Sequence, residues 1–325
     1  MIVFGPVPSR RLGQSLGVNN IPPKVCTYSC VYCQLGRTLR MQTDRSSFYE
    51  PEEIVRQVKD KIEKAKGNEE PIDYITFVPD GEPTLDGNLG REIEFLKPLG
   101  YKIAVITNSS LIWREDVRVE LSKVDWISLK VDSVDRKMWR KVNRPYRTLQ
   151  LDLILDGVLE FARGFKGELA TETMLVKNLN DSDELLTETA KFIARLNPAV
   201  SYVSIPTRPP AEEWAKAPDE ETINRAYQIF KERIANVEYL IGYEGNAFAF
   251  TGNFEDDILS ITSVHPMRED AVEEFLKRAG VEWGAIRKLV AQERLIETEY
   301  QGNRFYIRKL GNSSGNGLQN KADQL

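Results

Sequence analysis

Two spacings of apolar residues alternate along the first 245 residues of this chain. Short apolar runs with β-branched and aromatic residues predict strands, and longer amphipathic segments predict helices. The predicted strands span residues 16–19, 74–78, 102–107, 126–132, 168–177, 200–206 and 237–243. The predicted helices span residues 51–66, 115–124, 148–165, 182–196 and 219–234. Strands and helices therefore follow one another in regular order.

This order predicts an α/β fold with a parallel sheet, because parallel strands need long crossover connections, which are usually helices. The polar segments PDGEP, TNSS, KVDS, VKN and PTRPP each come directly after a predicted strand. In parallel α/β folds the carboxyl ends of the strands line the functional site. We therefore expect these segments to meet at one edge, in an open doubly wound sheet or in a full or partial barrel.

A different pattern begins near Phe254. Three predicted helices, at 254–266, 268–280 and 281–294, precede a predicted hairpin that turns at Gln301–Asn303. Three helices and a hairpin are the order of elements in a winged helix. We expect a first domain over residues 1–250, a small winged-helix-like domain over 254–310, and a disordered tail over 311–325, which lacks apolar periodicity.

The composition fits a soluble globular protein, with 41% hydrophobic and 29% charged residues among 325. No run of about 18 apolar residues predicts a membrane-spanning helix, and the amino terminus does not resemble a signal peptide. The net charge of −5 argues against capture of nucleic acid by bulk charge. Three clustered cysteines do not suit a secreted disulfide framework, so we expect a reducing cytoplasm.

All three cysteines of the chain lie within a single short loop, with the spacing Cys26-x3-Cys30-x2-Cys33. Thiolates are soft ligands that suit zinc, copper(I) and iron–sulfur clusters. A structural zinc site needs four protein ligands, but there is no second cysteine pair and the only histidine, His265, is far along the chain. A four-iron cluster usually has four cysteines as well. Three cysteines would leave one iron with an open position, which suits catalysis.

The cysteine spacing, with Tyr32 directly before the last cysteine, resembles the signature of the radical S-adenosylmethionine (SAM) superfamily. In that family three cysteines bind three irons of a [4Fe–4S] cluster, and the methionyl group of SAM chelates the fourth iron. An electron from the cluster cleaves SAM to methionine and a 5′-deoxyadenosyl radical, which abstracts a substrate hydrogen. The resemblance covers about residues 1–245 and implies a partial (β/α)6 TIM-like barrel.

A second resemblance to this family lies at Asp80-Gly81-Glu82-Pro83, after the second predicted strand. The segment is similar to the family's Gly-Gly-Glu-Pro segment, whose backbone helps to hold the methionyl amine, although Asp80 replaces the first glycine. Taken alone, PDGEP is also a common turn sequence.

Matching positions along the barrel implies further SAM contacts after the later strands. These are Asn108, near SAM or the substrate; Ser128, Lys130 and Asp132, near the ribose; Glu172 or Thr173, near SAM; and Ile205 and Pro206, near the adenine. Polar residues at such positions also often cap strand ends, which is the alternative interpretation.

Several arginines lie in loops that we expect to border the site. They are Arg10, Arg11, Arg144, Arg147 and Arg208. The arginine fork suits a carboxylate or a phosphate, and a surface ion pair is the alternative. Lys130 is more consistent with an ion pair than with a catalytic amine of lowered pKa. We interpret His265 as a cap or a partly buried surface residue, and Trp139 and Tyr146 as core residues.

The predicted winged-helix-like domain has two interpretations. In a nucleic-acid-binding winged helix the recognition helix would carry Arg287 and Lys288, and the hairpin would add Arg304 and Arg308. Acidic residues make the domain nearly neutral, whereas phosphate binding favours a basic face. These acidic residues are Glu269, Asp270, Glu273, Glu274, Glu293, Glu297 and Glu299. Packing on the barrel or contact with a protein is therefore favoured.

The segments PSRRLGQSLGVN and CVYCQLG resemble a branch of the superfamily related to the tRNA wyosine-base synthases, which carry a second iron–sulfur cluster. This chain has no further cysteine for such a cluster. The resemblance implies SAM, a [4Fe–4S] cluster and a reducing donor such as ferredoxin or flavodoxin, and a tRNA base is one expected substrate. The alternatives are a peptide or protein presented by the winged helix, and a non-catalytic iron–sulfur sensor that binds DNA.

Overall fold

Ten strands lie within residues 2–242, one of two ranges that the computed structural model describes; the other is 245–309. The strands are β1 (Val3–Ser9), β2 (Gly13–Val18), β3 (Val25–Cys26), β4 (Arg40–Met41), β5 (Tyr74–Phe77), β6 (Lys102–Thr107), β7 (Trp126–Lys130), β8 (Glu168–Met174), β9 (Val200–Ser204) and β10 (Val237–Leu240). The α-helices of this range are α1 (Pro51–Gly67), α2 (Leu89–Leu96), α3 (Glu115–Leu121), α4 (Arg136–Asn143), α5 (Leu151–Gly164), α6 (Asp183–Ala194) and α7 (Glu220–Lys231). The predicted tail at 311–325 lies outside the described residues.

Eight of these strands form one sheet in the order β1-β2-β5-β6-β7-β8-β9-β10. From β2 to β10 every neighbouring pair is parallel, and β1 is antiparallel to β2. All seven helices of residues 2–242 lie in crossovers between parallel strands. The predicted parallel α/β fold is therefore confirmed, and the seven parallel strands match the predicted ones in order.

The inner parallel strands are buried on both faces. All five residues of β9 and four of the five in β7 are buried, as expected for strands that helices cover. Helix α1 shows the complementary pattern, since Ile54, Val58 and Ile62 form a buried stripe at a spacing of four residues. The main apolar core lies between such helical stripes and the sheet. No described helix has the length and apolar character needed to cross a membrane.

Strand β1 is absent from the predicted strands. It contains Gly5, Pro6 and Pro8, which interrupt the usual strand pattern, and its register against β2 shifts between Phe4 and Val7. Proline lacks the backbone N–H that donates to a neighbouring strand. It is therefore tolerated on an edge strand, where one side has no neighbour. Helices α2 and α4 are also absent from the predicted ones, because both are short and α4 is strongly polar.

The carboxyl-terminal elements confirm the predicted order of three helices and a hairpin. They are α8 (Phe254–Thr262), β11 (Met267–Arg268), α9 (Glu269–Ala279), α10 (Trp283–Ala291), β12 (Leu295–Tyr300) and β13 (Asn303–Arg308). The short strand β11 was not expected, and it completes a three-stranded sheet in the order β11-β13-β12. Arg268, predicted at the start of a helix, instead pairs with Phe305 in that sheet.

A second apolar core joins the two ends of the chain. Phe4 and Val7 of β1 pack with Phe248, Ile258 and Phe275, which belong to the carboxyl-terminal segment. One strand of the large sheet therefore also supports the carboxyl-terminal elements.

A buried acidic pair lies between α2 and the loop before it. Glu92 and Asp86 have no exposed surface. Arg45 donates to the carbonyl of Asp86 (2.7 Å) and to the carboxylate of Glu120. Burial raises the pKa of Glu92 to about 10, with repulsion from Asp86 in the same direction, and burial raises the pKa of Asp86 to about 6. At neutral pH the buried pair therefore holds a proton that the same two groups would release in the unfolded chain.

We expect Glu92→Gln to remove much of the pH dependence of stability in the alkaline range. The pKa of Glu92 rises from 4.5 to about 10 on folding. The folded chain therefore holds more protons than the unfolded chain between these values, and stability falls as pH rises. Glutamine keeps the neutral form and does not titrate. Urea midpoints at about pH 6 and about pH 9 measure the effect.

Glu94→Gln, on the exposed face of the same helix, is the matched control and should keep the wild-type pH dependence. An equal alkaline loss of stability in Glu92→Gln and wild type would contradict the assignment.

Candidate active site

A cavity of about 330 Å³ lies at the carboxyl ends of the parallel strands. Its wall contains every cysteine of the chain together with residues from the ends of several strands. The predicted site residues in the wall are Cys26, Cys30, Cys33, Asp80, Gly81, Asn108, Lys130, Glu172 and Ile205. Segments that are distant in sequence therefore meet at one edge of the sheet, as a parallel fold requires.

Four predicted site residues do not belong to the described wall of this cavity. They are Glu82, Pro83, Ser128 and Asp132, and all four are buried behind it. Thr173, the alternative to Glu172, is also outside the wall and donates its hydroxyl to the carbonyl of Val131 (2.8 Å). Of the residues predicted by position, the structure therefore brings some to the cavity wall and leaves others behind it.

The cysteine loop, residues 24–36, is folded by its own backbone hydrogen bonds. The Cys33 N–H donates to the Cys30 carbonyl (3.1 Å), and the Gly36 N–H donates to the Cys33 carbonyl (3.0 Å). All three cysteines are free thiols. Burial raises the pKa of the Cys30 thiol to about 12, and burial also raises the pKa of Cys26 and of Cys33. A bound metal would therefore have to displace the thiol protons, as metals do.

Two side-chain amides point at these sulfurs. Asn108 Nδ2 lies 3.5 Å from Cys26 Sγ, and Asn143 Nδ2 lies 3.5 Å from Cys30 Sγ. Hydrogen bonds to sulfur tune iron–sulfur clusters and support their ligands. Within the described residues, no three His, Cys, Asp or Glu side chains converge to hold a single metal ion. Three separated thiols in one wall fit a cluster in which each cysteine binds a different iron.

Gly81 lies against the cysteine loop with no space for a side chain. Its φ is +152°, and a Cβ at this position would lie 1.9 Å from the carbonyl oxygen of Val25. The Lys24 N–H donates to the Asp80 carbonyl (2.8 Å), and the Glu82 N–H donates to the Val25 carbonyl (3.3 Å). The Asp80–Glu82 backbone is therefore joined directly to the residue before Cys26.

Glu82 holds two neighbouring strand ends together. Its buried carboxylate accepts hydrogen bonds from the hydroxyls of Thr84 and Thr107 (both 2.6 Å) and from the N–H of Asn108 (2.8 Å). Burial raises the pKa of Glu82, and these hydrogen bonds offset part of the increase. Since Asn108 also contacts Cys26, Glu82 positions a residue of the cavity wall rather than facing the cavity itself.

Three charged side chains form another part of the wall. Glu172 accepts from Lys130 Nζ (3.0 Å), from the Ser204 hydroxyl (3.0 Å) and from Arg11. Burial alone would raise the pKa of Glu172, but the attraction of Lys130 and Arg11 lowers it well below its ordinary range. Burial alone would lower the pKa of Lys130, but Glu172 and Asp132 raise it. Lys130 is therefore an ion-paired ammonium, as expected.

Asp132 lies behind the aromatic residue of the cysteine motif. Its carboxylate accepts from the Tyr32 hydroxyl, from Asn143 Nδ2 (2.6 Å) and from the Met174 N–H (2.9 Å). Lys130 Nζ lies 4.9 Å from the centre of the Tyr32 ring. Asp132 therefore fixes the tyrosine that contributes to the wall.

The carboxyl-terminal segment contributes residues that the sequence did not place in the site. His265, between α8 and β11, is buried in the wall, which corrects its interpretation as a partly buried surface residue. Its Nε2 lies 2.9 Å from a guanidinium nitrogen of Arg208, and Arg208 also donates to Gln34, the residue after Cys33. No local pattern could have linked residue 265 to the cysteine loop, because only tertiary packing brings them together.

The remaining predicted residues divide between the wall and the core. Arg10 and Arg11 line the cavity, whereas Arg144 and Arg147 do not. Trp139 is buried, and Tyr146 packs against the main core, as interpreted from the sequence.

We expect Gly81→Ala to destabilise the protein by about 1–3 kcal/mol or more, the range for forcing a group into a packed site. The new methyl group would overlap the Val25 carbonyl, so the cysteine loop would have to move. Urea unfolding and bound iron per chain after reconstitution measure the effect. Gly87→Ala is the control, because its Cβ would meet no atom closer than 3.8 Å. Equal midpoints and iron contents for the two variants would contradict the assignment.

We expect Glu172→Gln to destabilise the protein by up to about 3 kcal/mol, because it leaves Lys130 and Arg11 without their buried counter-charge. The charged side chains of this group are between 7% and 18% exposed, so solvent compensates little. Urea midpoints at neutral pH measure the loss. Glu168→Gln, at the exposed start of the same strand, should have little effect, and an equally small effect of Glu172→Gln would refute the role of this ion pair.

The chain is similar to known protein sequences over most of its length. The family model of the radical SAM superfamily matches residues 20–193. A UPF0026 protein of Methanocaldococcus jannaschii is 50% identical over 311 residues, which cover 95% of this chain and 96% of that protein. A UPF0026 protein of Helicobacter pylori is 34% identical over 228 residues, which cover 68% of this chain and 71% of that protein.

Solved structures resemble the fold at low sequence identity. A structure of TYW1 with a lysine-pyruvate adduct bound has a TM-score of 0.53 at 15% identity, over 69% of this chain and 76% of that one. A radical SAM methyltransferase from Sphaerobacter thermophilus has a TM-score of 0.50 at 18% identity, over 70% and 66% of the two chains. At these identities the similarity concerns the fold alone.

Proposed function

Because this chain belongs to the radical SAM superfamily and is an enzyme, we propose that it holds a [4Fe–4S] cluster on Cys26, Cys30 and Cys33 and binds SAM in the adjoining cavity. Its fold is the TIM-barrel-like parallel α/β fold of that superfamily. The observation that carries the proposal is the placement of three free thiols in the wall of a cavity at the carboxyl ends of the strands.

When bound, the reduced cluster supplies the electron that cleaves SAM to methionine and a 5′-deoxyadenosyl radical, which abstracts a hydrogen atom from the substrate. The chain's own residues would bind and orient the cluster and SAM, and they would exclude water from the site. Asn108 and Asn143 donate toward two of the sulfurs, and Gly81 allows the backbone to approach the cysteine loop closely. The mostly buried wall limits access of water to the reacting groups.

We assign SAM contacts to the predicted residues in the wall, namely Asp80, Gly81, Asn108, Lys130, Glu172 and Ile205. The backbone at Asp80–Gly81 suits the methionyl group, and the Lys130–Glu172 pair presents polar atoms suited to the ribose. Glu82, Pro83, Ser128 and Asp132 contribute from behind the wall as positioning residues. The cavity volume of about 330 Å³ lies near the small end of the range for ligand sites, so the substrate enters only in part once SAM is bound.

A tRNA base is the proposed substrate. The described cavity wall contains five Lys or Arg residues and two Asp or Glu residues, which favours a ligand with negative charge such as a nucleotide. The five basic residues are Arg10, Arg11, Lys24, Lys130 and Arg208. The chain has only the three cysteines of one cluster, so the chemistry of a two-cluster synthase does not transfer to it. The alternative of a non-catalytic iron–sulfur sensor is disfavoured, because the chain belongs to a superfamily of enzymes.

We further propose that residues 254–309 form a winged-helix-like unit with a structural role, distinct from the barrel domain at 1–250. The order of helices and strands and the three-stranded sheet support the unit. Arg304 is paired with Glu269 and Glu297, and Arg294 with Glu255, so acidic side chains neutralise both of these arginines. The unit packs on β1 and contributes His265 to the cavity wall. These contacts favour a role in completing the cavity wall over a role in nucleic-acid binding.

Anaerobic reconstitution with iron and sulfide tests the proposed function. We expect about four irons per chain, an absorption spectrum that changes when SAM is added, and release of 5′-deoxyadenosine and methionine in equal amounts after reduction with dithionite. Cys33→Ala should lose the spectrum and the products because it removes one ligand.

Ser29→Ala lies in the same loop without being a proposed ligand, and it should keep both signals. Zinc in place of iron, or a wild-type cluster that neither responds to SAM nor releases 5′-deoxyadenosine, would refute the proposal.

A further inference from the structure

A concentration of positive charge lies next to the cysteine loop. The sequence RKMWRKVNRPYR, residues 136–147, contains six basic residues and no acidic one, in a chain whose net charge is −5. It forms α4 and the segment that follows. Nothing in the proposed cluster or SAM site uses these side chains, since none of them lines the cavity.

This basic segment is hydrogen-bonded to the cysteine loop along its backbone. The Val31 N–H donates to the carbonyl of Val142 (2.9 Å), and the N–H of Tyr146 donates to the Thr27 carbonyl (2.8 Å). Asn143, the last residue of α4, also contacts Cys30 Sγ at 3.5 Å. Asn143 therefore contacts the sulfur of a proposed cluster ligand and belongs to the same helix as the exposed basic side chains.

The basic side chains are exposed, and most have no counter-charge. We define the basic surface as Arg37, Arg40, Lys137, Arg140, Lys141, Arg144 and Arg147, with the apolar residues Leu39 and Trp214. Arg37 and Arg144 share Glu212. Among the described residues, no acidic side chain lies within 4.0 Å of the charged groups of Arg40, Lys137, Arg140, Lys141 or Arg147. The surface therefore keeps a strong positive field.

Two apolar side chains accompany this charge. Leu39 is 83% exposed and Trp214 is 52% exposed, and the Arg144 guanidinium lies 5.9 Å from the Trp214 ring. Leu39 belongs to the short segment that leads from the cysteine loop into β4. Exposed apolar residues close to cations are typical of a protein contact with an apolar centre and a charged rim.

An acidic partner that must come close to the cysteine loop matches this surface by charge. Complexes between electron-transfer proteins bury a small interface and are short-lived. Opposite charges on the two partners raise the rate at which they associate. RNA is the other polyanion that a basic surface attracts, but the exposed apolar side chains of Leu39 and Trp214 favour contact with a protein. The hydrogen bonds to the cysteine loop place this surface next to the proposed cluster, which favours the electron donor.

We infer that the basic surface is the docking site for an acidic one-electron carrier protein that reduces the cluster, an inference that rests on the proposed function above. The carrier is oxidised by one electron, and the cluster passes from its 2+ to its 1+ state, so charge and electrons balance without a further reactant. The electron enters beside Cys30 and Asn143, while the substrate approaches from the cavity.

The triple variant Arg140→Glu, Lys141→Glu, Arg147→Glu tests the inference with reduced flavodoxin as the probe. At low salt we expect 5′-deoxyadenosine formation at limiting flavodoxin to fall by about tenfold or more, because rim charges control association. Binding of flavodoxin to the metal-free chain, measured by surface plasmon resonance, should weaken in parallel and lose its salt dependence. Formation of 5′-deoxyadenosine with dithionite should stay at the wild-type level, since this small reductant needs no docking site.

Lys59→Glu, Lys64→Glu, Lys66→Glu is the matched control, with the same charge change on exposed positions of α1. It should keep the wild-type rate with flavodoxin. Equal flavodoxin rates in both triple variants would overturn the docking site, as would a wild-type chain that flavodoxin neither binds nor reduces. Loss of tRNA binding with normal flavodoxin reduction would assign the surface to RNA instead. Failure of the proposed function is distinguishable, because wild type would then give no 5′-deoxyadenosine even with dithionite.

Discussion

The site depends on the close approach of Gly81 to the carbonyl of Val25, where no side chain fits. This contact joins the loop after β5 to the cysteine loop, and backbone hydrogen bonds on both sides of it complete the connection. Because β5 is paired on both sides, with β2 and β6, the loop that carries the thiols inherits a fixed position from the strand. If the loop were flexible, placing each thiol for metal binding would cost conformational entropy.

Behind the wall, buried polar groups do most of the positioning. Glu82 binds two threonines and the backbone of Asn108, and Asp132 binds Tyr32 and Asn143. The two asparagines are the residues that contact sulfur. Each carboxylate therefore acts on the thiols through an amide, and its own burial is compensated by several hydrogen bonds. This arrangement explains why carboxylates predicted as direct SAM contacts lie one layer behind the cavity.

The sequence predicts the inner strands of the sheet well because they are apolar runs buried on two faces, as β7 and β9 illustrate. It also predicts the three thiols and Gly81, whose spacing and residue types carry a chemical requirement. It fails at β1, where prolines obscure an edge strand, and at α4, which has only eight residues and is strongly polar. It also fails to place His265, because the contact with Arg208 arises only from packing between distant segments. Ser128 and Lys130 are two residues apart in β7 and share one face of the strand. Position matching cannot show that Lys130, at the carboxyl end, reaches the cavity while Ser128 stays buried below it.

Strand β1 belongs to two cores, since it pairs with β2 on one side and packs with residues from α8 and α9 through Phe4 and Val7. The partners of Phe4 and Val7 lie more than 240 residues further along the chain. Without that distant segment, these two side chains of β1 would lose most of their apolar contacts. The cavity acquires its His265 wall only when the carboxyl-terminal helices have docked, so a truncated product would retain the thiols yet lack a closed site.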